Sequence, residues 1–339
     1  MYNRQIPKIN ETISKTGKAI VALGCSFVQA QGAIDDALFE NYEWEYLGMG
    51  HPLRIKVDKK QAEELIKKYP ELRPDPDHKI NFVDMEYKNS FVNVLCKKYF
   101  EGEYAPINLG IRGCGNRATI KELYFRPEIN WDKIKELIVI YVPSGIERFD
   151  FVNDAWEEHF HWKAMWPNPV ETPSNCREHL WEGYNKGLYS EKFGIIEQIG
   201  HMQELLNFCK LKNAKLIVTP GFDRRYDKEY FEGELSYVIT RDMNGTLKEK
   251  HFPGLLQHGN NHKNLAELWP WDTMFCPKGH KTFIDLSMSQ EPSIADKSDF
   301  FFQFLGNRTP NGWVTACAHP GAKAHDYFAK ALHERILEK

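Results

Sequence analysis

A serine with the surroundings of a nucleophile stands near the start of the chain, in the stretch KAIVALGCSFVQ at residues 18–29. Ser26 follows an apolar run that ends on Gly24, a place where a strand can turn tightly into a helix. Such a turn would expose the hydroxyl and leave backbone N–H groups available. Because a serine hydroxyl of ordinary pKa is a weak nucleophile, catalysis by Ser26 would require a nearby base and hydrogen-bond donors for the developing oxyanion.

The residues next to Ser26 leave a structural alternative open. The stretch departs from the G-x-S-x-G elbow of α/β-hydrolases, because Val28 stands where that motif has glycine. Serine is also a good helix N-cap, so the Gly-Cys-Ser sequence could form only a strand-to-helix turn. The partners that Ser26 finds elsewhere in the chain therefore decide between the two interpretations.

The elements that must position Ser26 follow from hydrophobic patterning. Short apolar runs bounded by turn residues predict buried strands, and apolar residues at helical spacing predict amphipathic helices. The predicted strands are 20–24, 106–110, 137–142 and 214–218, and the predicted helices are 89–100, 117–125, 191–210 and 319–339. Strands alternating with helices favour a doubly wound α/β sheet, in which functional residues follow the C-terminal ends of the strands.

Three segments interrupt this alternation: residues 33–80, 149–188 and 222–312. They are rich in Pro, Trp, His and charged residues and lack sustained periodicity. We interpret them as insertions over the sheet that form a cap or a substrate subdomain. No linker between two independent units is evident in the sequence, so we expect a single elaborated domain over residues 1–339.

The bulk composition argues against several classes of protein. The 44 basic and 47 acidic residues give a net charge of −3, without the broad electrostatic footprint of a nucleic-acid or membrane-surface binder. The N-terminal stretch is polar and no apolar run approaches about 20 residues, so neither a signal peptide nor a membrane span is predicted. Seven cysteines without a repeating spacing favour free thiols, and we expect a cytoplasmic protein.

Four sequence blocks occur along the chain in the order typical of one enzyme family. They are ALGCSF at 22–27, NLGIRGCGN at 108–116, IVIYVPSGIER at 138–148 and AHPGAKAH at 318–325. Together they resemble the SGNH, or GDSL-type, hydrolases, and in particular divergent phage-encoded members. The resemblance spans the predicted sheet segments. It implies a three-layer, mainly parallel sheet of flavodoxin-like topology and the hydrolysis of acyl esters without a metal or an organic cofactor.

The first two blocks imply a nucleophile and an oxyanion hole. Ser26 matches the nucleophilic serine of the family, with Cys25 in place of the acidic residue that precedes it. Asn108, Gly110 and Gly113 match the N-x-G-x-x-G block, whose last glycine donates its backbone N–H to the oxyanion. Glycine allows backbone to approach a ligand this closely. A glycine-rich turn between a strand and a helix would have the same sequence pattern. The resemblance thus implies oxyanion donors at Ser26 and Gly113.

The third block departs from the family pattern. The family has an asparagine as a third oxyanion donor after this strand, and Ser144 is the nearest polar substitute. Phage-encoded relatives tend to have a T/S-x-x-R arrangement here, so Arg148 is expected to bind substrate or to organise the loop, with an ion pair as the alternative. Asn116 and Cys25 complete the predicted substrate-binding set.

The fourth block supplies the general base of the family at His319 but lacks the acid that orients it. Ala316 stands at the position of that acid. Removing the carboxylate from a catalytic triad can cost on the order of 10⁴ in kcat. Three possibilities remain: a Ser–His dyad, a remote acid such as Asp296 or Asp299, or an impaired site. His325 lies in the last helix, where a structural role is the simpler interpretation.

The insertions point to a substrate class. Two of them, 149–188 and 222–312, contain six of the nine tryptophans, whose rings could line a sugar-binding cleft or form small cores of their own. We expect a small-molecule or carbohydrate ester as substrate. The six tryptophans are Trp156, Trp162, Trp166, Trp181, Trp269 and Trp271.

Other classes of function stay open at this point. One is a binding or regulatory protein with a degenerate site, and another is an acyltransferase that passes the acyl group to an acceptor other than water. Metal catalysis is disfavoured, because glycine or proline interrupts the second and third of three candidate pairs and no zinc-module spacing is present. These pairs are His159-x-His161, His258-x3-His262 and Cys276-x3-His280.

Overall fold

A computed structural model describes about two thirds of the chain. The described residues are 5–30, 33, 44–45, 54–55, 57–74, 80–111, 113–153, 161–165, 191–236, 239–241, 247–249, 264–290 and 319–338. They include nearly all of the four sequence blocks. Asp296, Asp299 and Ala316 lie outside the described residues.

Four parallel strands form the central sheet. They are β1 (Lys18–Gly24), β2 (Ala105–Asn108), β3 (Glu136–Val142) and β4 (Lys215–Val218). Their spatial order is β4-β3-β1-β2, and each neighbouring pair is parallel. In this order the chain continues on one side of β1 to β2 and on the other side to β3, so the strand order reverses between β1 and β3. The predicted α/β class is confirmed.

Helices precede, separate and follow the sheet strands along the chain. The α-helices are α1 (Ile6–Thr16), α2 (Ser26–Gln29), α3 (Lys59–Lys68), α4 (Val83–Asn89), α5 (Phe91–Val94), α6 (Asn116–Lys121), α7 (Glu191–Leu211), α8 (Lys228–Ser236), α9 (Phe283–Ser289) and α10 (Ala322–Leu337). A π-helical segment, Leu95–Tyr99, continues α5, and 3₁₀ turns lie at Trp131–Lys133, Trp271–Thr273 and Pro277–Gly279.

The sheet is covered on both faces, which explains the uninterrupted apolar runs of its strands. In β1, Ala19, Val21 and Leu23 pack in one core layer, while Ile20 and Ala22 pack in the other. Strands buried on both faces read as continuous apolar runs because alternate side chains point to opposite sides. Helices α1, α6, α7 and α8 contribute to the first layer, and α2, α5, α9 and α10 contribute to the second.

The predicted insertions contain short antiparallel hairpins. Their strand pairs are Trp44–Glu45 with Arg54–Ile55, Arg73–Pro74 with Ile80–Asn81, Phe149–Asn153 with His161–Met165, and Ile239–Arg241 with Leu247–Glu249. None of these hairpins pairs with the central sheet in the described part of the chain.

Part of the predicted insertion 222–312 belongs to the main core, which corrects its interpretation as a cap. Trp269 is 1% exposed and its ring lies 5.3 Å from the Tyr226 ring and 5.5 Å from the Phe231 ring, centroid to centroid. Burial of such large apolar surfaces stabilises the layer that contains α7 and α8. Trp269 is therefore unable to line a sugar-binding cleft. Trp156, Trp166, Trp181 and the side chain of Trp162 lie outside the described part of the chain.

The described helices include none with the length and hydropathy needed to cross a bilayer. Five of the seven cysteines are described, and each is a free thiol, four of them buried.

Candidate active site

Ser26 is the first residue of α2, directly after the turn that ends β1. A Cβ atom on Gly24 would overlap the Val28 side chain and the Val142 carbonyl oxygen, so glycine permits this tight junction. Cys25 occupies the N-cap position, and no side chain caps the helix. The Ser26 hydroxyl is thus not used for capping, and its backbone N–H, at the start of the helix, has no acceptor within it.

His319 contacts Ser26 across the fold. The imidazole Nε2 lies 2.6 Å from the Ser26 Oγ, although 293 positions separate the two residues in the sequence. Ser26 is 7% exposed, and His319 is half-buried. This is the distance at which an imidazole accepts the proton of a serine hydroxyl, so the two residues can act as nucleophile and general base.

A series of ring contacts leads away from the His319 imidazole. The Phe27 ring centroid lies 5.1 Å from the imidazole centroid, and the Phe222 ring follows 5.3 Å from Phe27. The guanidinium carbon of Arg148 is 5.3 Å from the Phe222 ring centroid. A Cβ on Gly221 would lie 3.2 Å from Val142 Cγ1, so glycine suits the close approach of this loop to β3. We call the series His319–Phe27–Phe222–Arg148 the aromatic ladder.

The glycine-rich second block lies beside α2. Asn108 ends β2, and its Nδ2 donates to the Val28 carbonyl at 2.8 Å while its Oδ1 accepts from the Gly110 N–H at 3.0 Å. A Cβ on Gly110 would overlap the Gln29 backbone nitrogen. Gly110 is therefore needed for close backbone packing. Gly113 is exposed, has a left-handed backbone (φ +68°) and has no atom near its Cβ position, so the turn requires glycine for its backbone conformation.

Ser144 and Asn116 lie in a buried hydrogen-bond network after β3. Asn116 Oδ1 accepts from the Ser144 backbone N–H at 2.7 Å and from its hydroxyl at 3.3 Å. Asn116 Nδ2 donates to Gln198 Oε1 and to the Tyr226 hydroxyl, both at 2.8 Å. The Tyr226 hydroxyl in turn donates to the Ser144 carbonyl at 2.8 Å. We call these four residues the Asn116 network.

The Asn116 network corrects two predicted roles. Asn116 is 0% exposed and Ser144 is 1% exposed, and the polar atoms of both side chains bond within the protein. Buried polar groups need such partners, because an unsatisfied one costs about 1–3 kcal/mol. We therefore reassign Asn116 from substrate binding, and Ser144 from the oxyanion set, to holding the loop after β3.

The two remaining predicted substrate contacts differ in their surroundings. The Cys25 side chain is fully buried in the α2 layer, which corrects its predicted contact with substrate. Arg148 is half-buried, and its Nη1 donates to the Cys114 carbonyl at 3.1 Å. Its guanidinium also packs on the Phe222 ring, so Arg148 organises its loop and at the same time lies near a surface recess.

Asp150 holds the start of α6 in place, a role that the sequence analysis missed. Its Oδ1 accepts from the Gly115 N–H at 2.6 Å and its Oδ2 accepts from the Ala118 N–H at 2.9 Å, so it caps the start of α6. Burial raises the pKa of Asp150 to about 6, against the opposing effect of these N–H groups and of Arg148. In the sequence, Asp150 lies four residues after Ile146 of the third block, within a segment that we interpreted as an insertion. That position was the only indication of its role.

His325 is fully buried behind His319 in α10. Its Nδ1 accepts from the Phe91 N–H at 3.1 Å, while its Nε2 has no partner among the described residues. Burial, and then the nearby His319, lower the pKa of His325 to about 3, so its ring is neutral at pH 7. The Phe91 and Phe283 rings pack around it, with centroids 6.0 and 5.2 Å away. This matches the structural role expected for it.

Phe27 and Phe222 were also missed as parts of the site. The sequence could have indicated Phe27, since it follows Ser26 directly in the first block. It could not have indicated Phe222, because the contact of Phe222 with Phe27 depends on how β4 lies next to β3. Among the described residues, no group of three or more His, Cys, Asp or Glu side chains could hold a metal ion.

Comparison of the chain with protein-family models, with curated proteins and with solved structures gives no significant match.

Proposed function

We propose that this protein is a serine hydrolase of the SGNH type that cleaves acyl esters, with Ser26 as nucleophile and His319 as general base. The 2.6 Å contact between Ser26 Oγ and His319 Nε2 carries the proposal. It joins the two residues that the sequence blocks select for these roles from opposite ends of the chain.

The position of the pair in the sheet supports the same proposal. Ser26 follows the C-terminal end of β1, and β1 lies next to β3 where the strand order reverses. In open α/β sheets this is the place where ligands bind. An oxyanion formed there would find the backbone N–H groups that the turn after β1 presents.

In the proposed reaction, the Ser26 oxygen attacks the ester carbonyl carbon while His319 Nε2 takes the hydroxyl proton. The negative charge that develops on the carbonyl oxygen is stabilised by the backbone N–H groups of Ser26 and Gly113. His319 then returns the proton to the leaving alkoxide, and an acyl-serine forms. Water, activated by His319 in the same way, releases the acid and restores the serine.

The substrate is proposed as an acyl ester of a small molecule or a carbohydrate. The choice of carbohydrate rests on the family resemblance, since Trp269 is part of the core. Acetylated sugars are the first compounds to test. Transfer of the acyl group to a sugar hydroxyl in place of water would use the same two residues.

A catalytically degenerate binding protein is the second candidate function. The observation that favours it is the burial of Ser144, whose hydroxyl donates to Asn116. The site then has only backbone donors for an oxyanion, and losing one donor typically costs 10²–10³ in kcat.

Hydrolysis of 4-nitrophenyl acetate by the wild type, Ser26→Ala and His319→Ala tests the proposal. We expect turnover by the wild type and a fall to background in both variants. Matched controls are Ser14→Ala and His280→Ala, which change a surface serine and a partly exposed histidine and should retain activity.

Labelling with a fluorophosphonate separates the two candidates. An activated Ser26 should be modified stoichiometrically in the wild type and not in Ser26→Ala. Turnover by Ser26→Ala equal to that of the wild type would refute the hydrolase proposal. A wild type that neither turns over nor becomes labelled would favour the binding protein.

A further inference from the structure

The turn that contains Gly113 begins beside the proposed nucleophile. The Ile111 N–H donates to the Gly24 carbonyl at 2.9 Å, and Gly24 lies two residues before Ser26. Gly113 has a left-handed backbone, and its N–H donates to no group in the described part of the chain. This N–H is therefore available as the oxyanion donor of the proposed reaction, and its usefulness depends on how firmly the turn holds it.

A single peptide unit at the far end of this turn is held at both of its polar groups. Arg148 Nη1 donates to the Cys114 carbonyl at 3.1 Å, and Asp150 Oδ1 accepts from the Gly115 N–H at 2.6 Å. The carbonyl and the N–H belong to the same planar peptide, so the two contacts together fix both its position and its orientation. Each contact involves an ionisable side chain, and hydrogen bonds to charged groups are stronger than neutral ones.

The sequence places these two side chains on the same side of the chain. Arg148 and Asp150 are two positions apart where the chain enters the strand Phe149–Asn153, and alternate side chains of a strand share a face. Gly115 lets the carboxylate approach, because a Cβ there would lie 2.8 Å from Asp150 Oδ2. The same Oδ2 accepts from the Ala118 N–H at 2.9 Å, so the carboxylate joins the turn to α6.

Only residue 112 and Gly113 lie between the two fixed points of the turn. The first fixed point is the bond from the Ile111 N–H, and the second is the peptide between residues 114 and 115. A segment this short has few backbone dihedral angles left to vary, so displacing either fixed point would move the Gly113 N–H. An oxyanion donor must lie about 2.7–3.1 Å from the developing charge, so a small displacement would lower the rate.

We propose that Arg148 and Asp150 are positioning residues of the active site, which hold the Gly113 N–H at the place where the oxyanion of the reaction forms. Both act through the peptide between Cys114 and Gly115, without contact to the reacting atoms. The role in the reaction rests on the proposed function, whereas the effect of the two residues on the position of Gly113 can be measured without turnover.

The surroundings of Asp150 make its charge a measurable property. Burial raises the pKa of Asp150 to about 6, against the opposing effect of the N–H groups at the start of α6 and of Arg148. The nearby Cys114 thiol and Tyr141 hydroxyl are neutral, because burial raises the pKa of each. The surface recess beside Asp150 brings three further charged or titratable side chains from α6 and α7: Arg117, Glu197 and His201. Burial lowers the pKa of His201 to about 4, below the range in which Asp150 titrates.

NMR of two glycines tests the position of the turn without any substrate. Cys114–Gly115 is the only Cys-Gly pair of the sequence, and Arg112–Gly113 is the only Arg-Gly pair. Carbonyl-¹³C cysteine or arginine combined with ¹⁵N-glycine therefore selects each peptide individually. In the wild type, both amide resonances should titrate with a midpoint at about pH 6. Asp150→Asn should abolish this titration and move both resonances.

Asp58→Asn is the matched control for this measurement. Asp58 also accepts a backbone N–H at a helix start, that of Gln61 in α3. The control should leave the resonances of Gly113 and Gly115 where they are in the wild type. A Gly113 resonance that stays at its wild-type position in Asp150→Asn would overturn the inference.

A pair of esters tests the role in the reaction. In the thiono analogue of 4-nitrophenyl acetate, sulfur replaces the carbonyl oxygen and gains less from N–H donors, because sulfur is a weak acceptor. In Asp150→Asn, kcat for the oxygen ester should fall about tenfold or more, with KM within about threefold of the wild type. The ratio of kcat/KM for the oxygen ester to that for the thiono ester should fall as well. A variant that is only less stable would lower both values equally and keep this ratio.

Two further variants keep the test decisive if Asp150→Asn folds poorly, and melting temperatures of all variants verify folding. Gly115→Ala displaces the carboxylate, and Arg148→Gln removes the charged donor to the Cys114 carbonyl, so each should lower the ester ratio. Gly200→Ala is the matched control, because a Cβ on Gly200 meets no atom within 4 Å. It should keep the wild-type ratio.

The two measurements separate failure of this inference from failure of the proposed function. If the wild type hydrolyses the oxygen ester and the ester ratio is the same in every variant, the positioning role fails and the proposed function stands. If the wild type hydrolyses neither ester, the proposed function fails. In that case a shifted Gly113 resonance in Asp150→Asn still supports the two residues as the groups that position the turn, and an unshifted one overturns this as well.

Discussion

The ends of β1 and β3 lie side by side in the sheet, and each is followed by a serine. After β1, the Ser26 hydroxyl contacts the imidazole of His319. After β3, the Ser144 hydroxyl donates to the amide oxygen of Asn116 inside the core. Both serines are more than 90% buried, so burial does not distinguish them. The chemistry of the partner does: an imidazole can accept and return a proton near neutral pH, whereas an amide oxygen only fixes a geometry.

The strongest test of this comparison is the double variant Ser26→Ala/His319→Ala. If the two residues act as one unit, each single variant should lower kcat by roughly 10³–10⁴, and the double variant should be no worse than either. Steady-state hydrolysis of 4-nitrophenyl acetate measures all four proteins. Losses that multiply in the double variant would mean that the two residues act independently.

Disrupting the Asn116 network should destabilise the folded protein. Asn116→Ala leaves a buried N–H of Ser144, and polar atoms of Gln198 and Tyr226, without their partner. We expect the free energy of unfolding to fall by about 3 kcal/mol or more. Urea denaturation measures it.

Asn10→Ala is the matched control for Asn116→Ala, because its two hydrogen bonds, to the Glu128 carbonyl and from the Asn130 N–H, lie nearer the surface. This control should lose about 1–2 kcal/mol. Equal losses in the two variants would show that the network contributes nothing special to the loop after β3.

The raised pKa of Asp150 should make the stability of the folded protein depend on pH. Its pKa is raised from 3.8 to about 6 by burial, so the folded state holds its proton over a range in which the unfolded state has released it. The contribution of Asp150 to stability therefore decreases as pH rises between these two values, in total by on the order of 3 kcal/mol.

The corresponding measurement is urea denaturation of the wild type and Asp150→Asn between pH 4 and about pH 7. The stability of the wild type relative to the variant should decline across this range. Asp132→Asn, a fully exposed carboxylate, should show no such decline. Parallel pH curves for the wild type and Asp150→Asn would contradict the raised pKa.

The smallest effect is expected for Ser144→Ala. Losing a 3.3 Å hydroxyl contact should cost about 1 kcal/mol of unfolding free energy, while the backbone N–H of residue 144 keeps its bond to Asn116. Turnover of 4-nitrophenyl acetate should stay within about threefold of the wild type. A fall of 10²-fold, typical of a lost oxyanion donor, would restore the role that the sequence first suggested for Ser144.

The sheet was largely predictable because its strands are buried on both faces. The runs 20–24 and 137–142 fall within β1 and β3, and the helix predicted over 319–339 contains α10, whose buried stripe includes Ala324, Phe328 and Leu332. The type and limits of individual helices were harder to predict from the sequence. The helix predicted over 89–100 is divided into α5 and a π-helical segment, a change in hydrogen bonding that side-chain periodicity does not encode.

The candidate site was predictable only in part. Ser26 and His319 could be selected from their motifs, but Asn116 and Ser144 were assigned to the ligand because a polar residue near a motif looks the same whether it faces a cleft or the core. Trp269 was placed in an insertion for a similar reason, since its segment lacks periodicity although its side chain is buried.

The sequence by itself determined the alternation of strands and helices and the identity of the residues able to react, because these depend on local patterning and side-chain chemistry. The tertiary structure decided which polar groups meet. Ser26 finds His319 from 293 positions away, and Asn116 finds Gln198 from 82. Such contacts depend on strand order and on packing around the sheet, which fix whether a hydroxyl meets a proton acceptor or becomes part of the core.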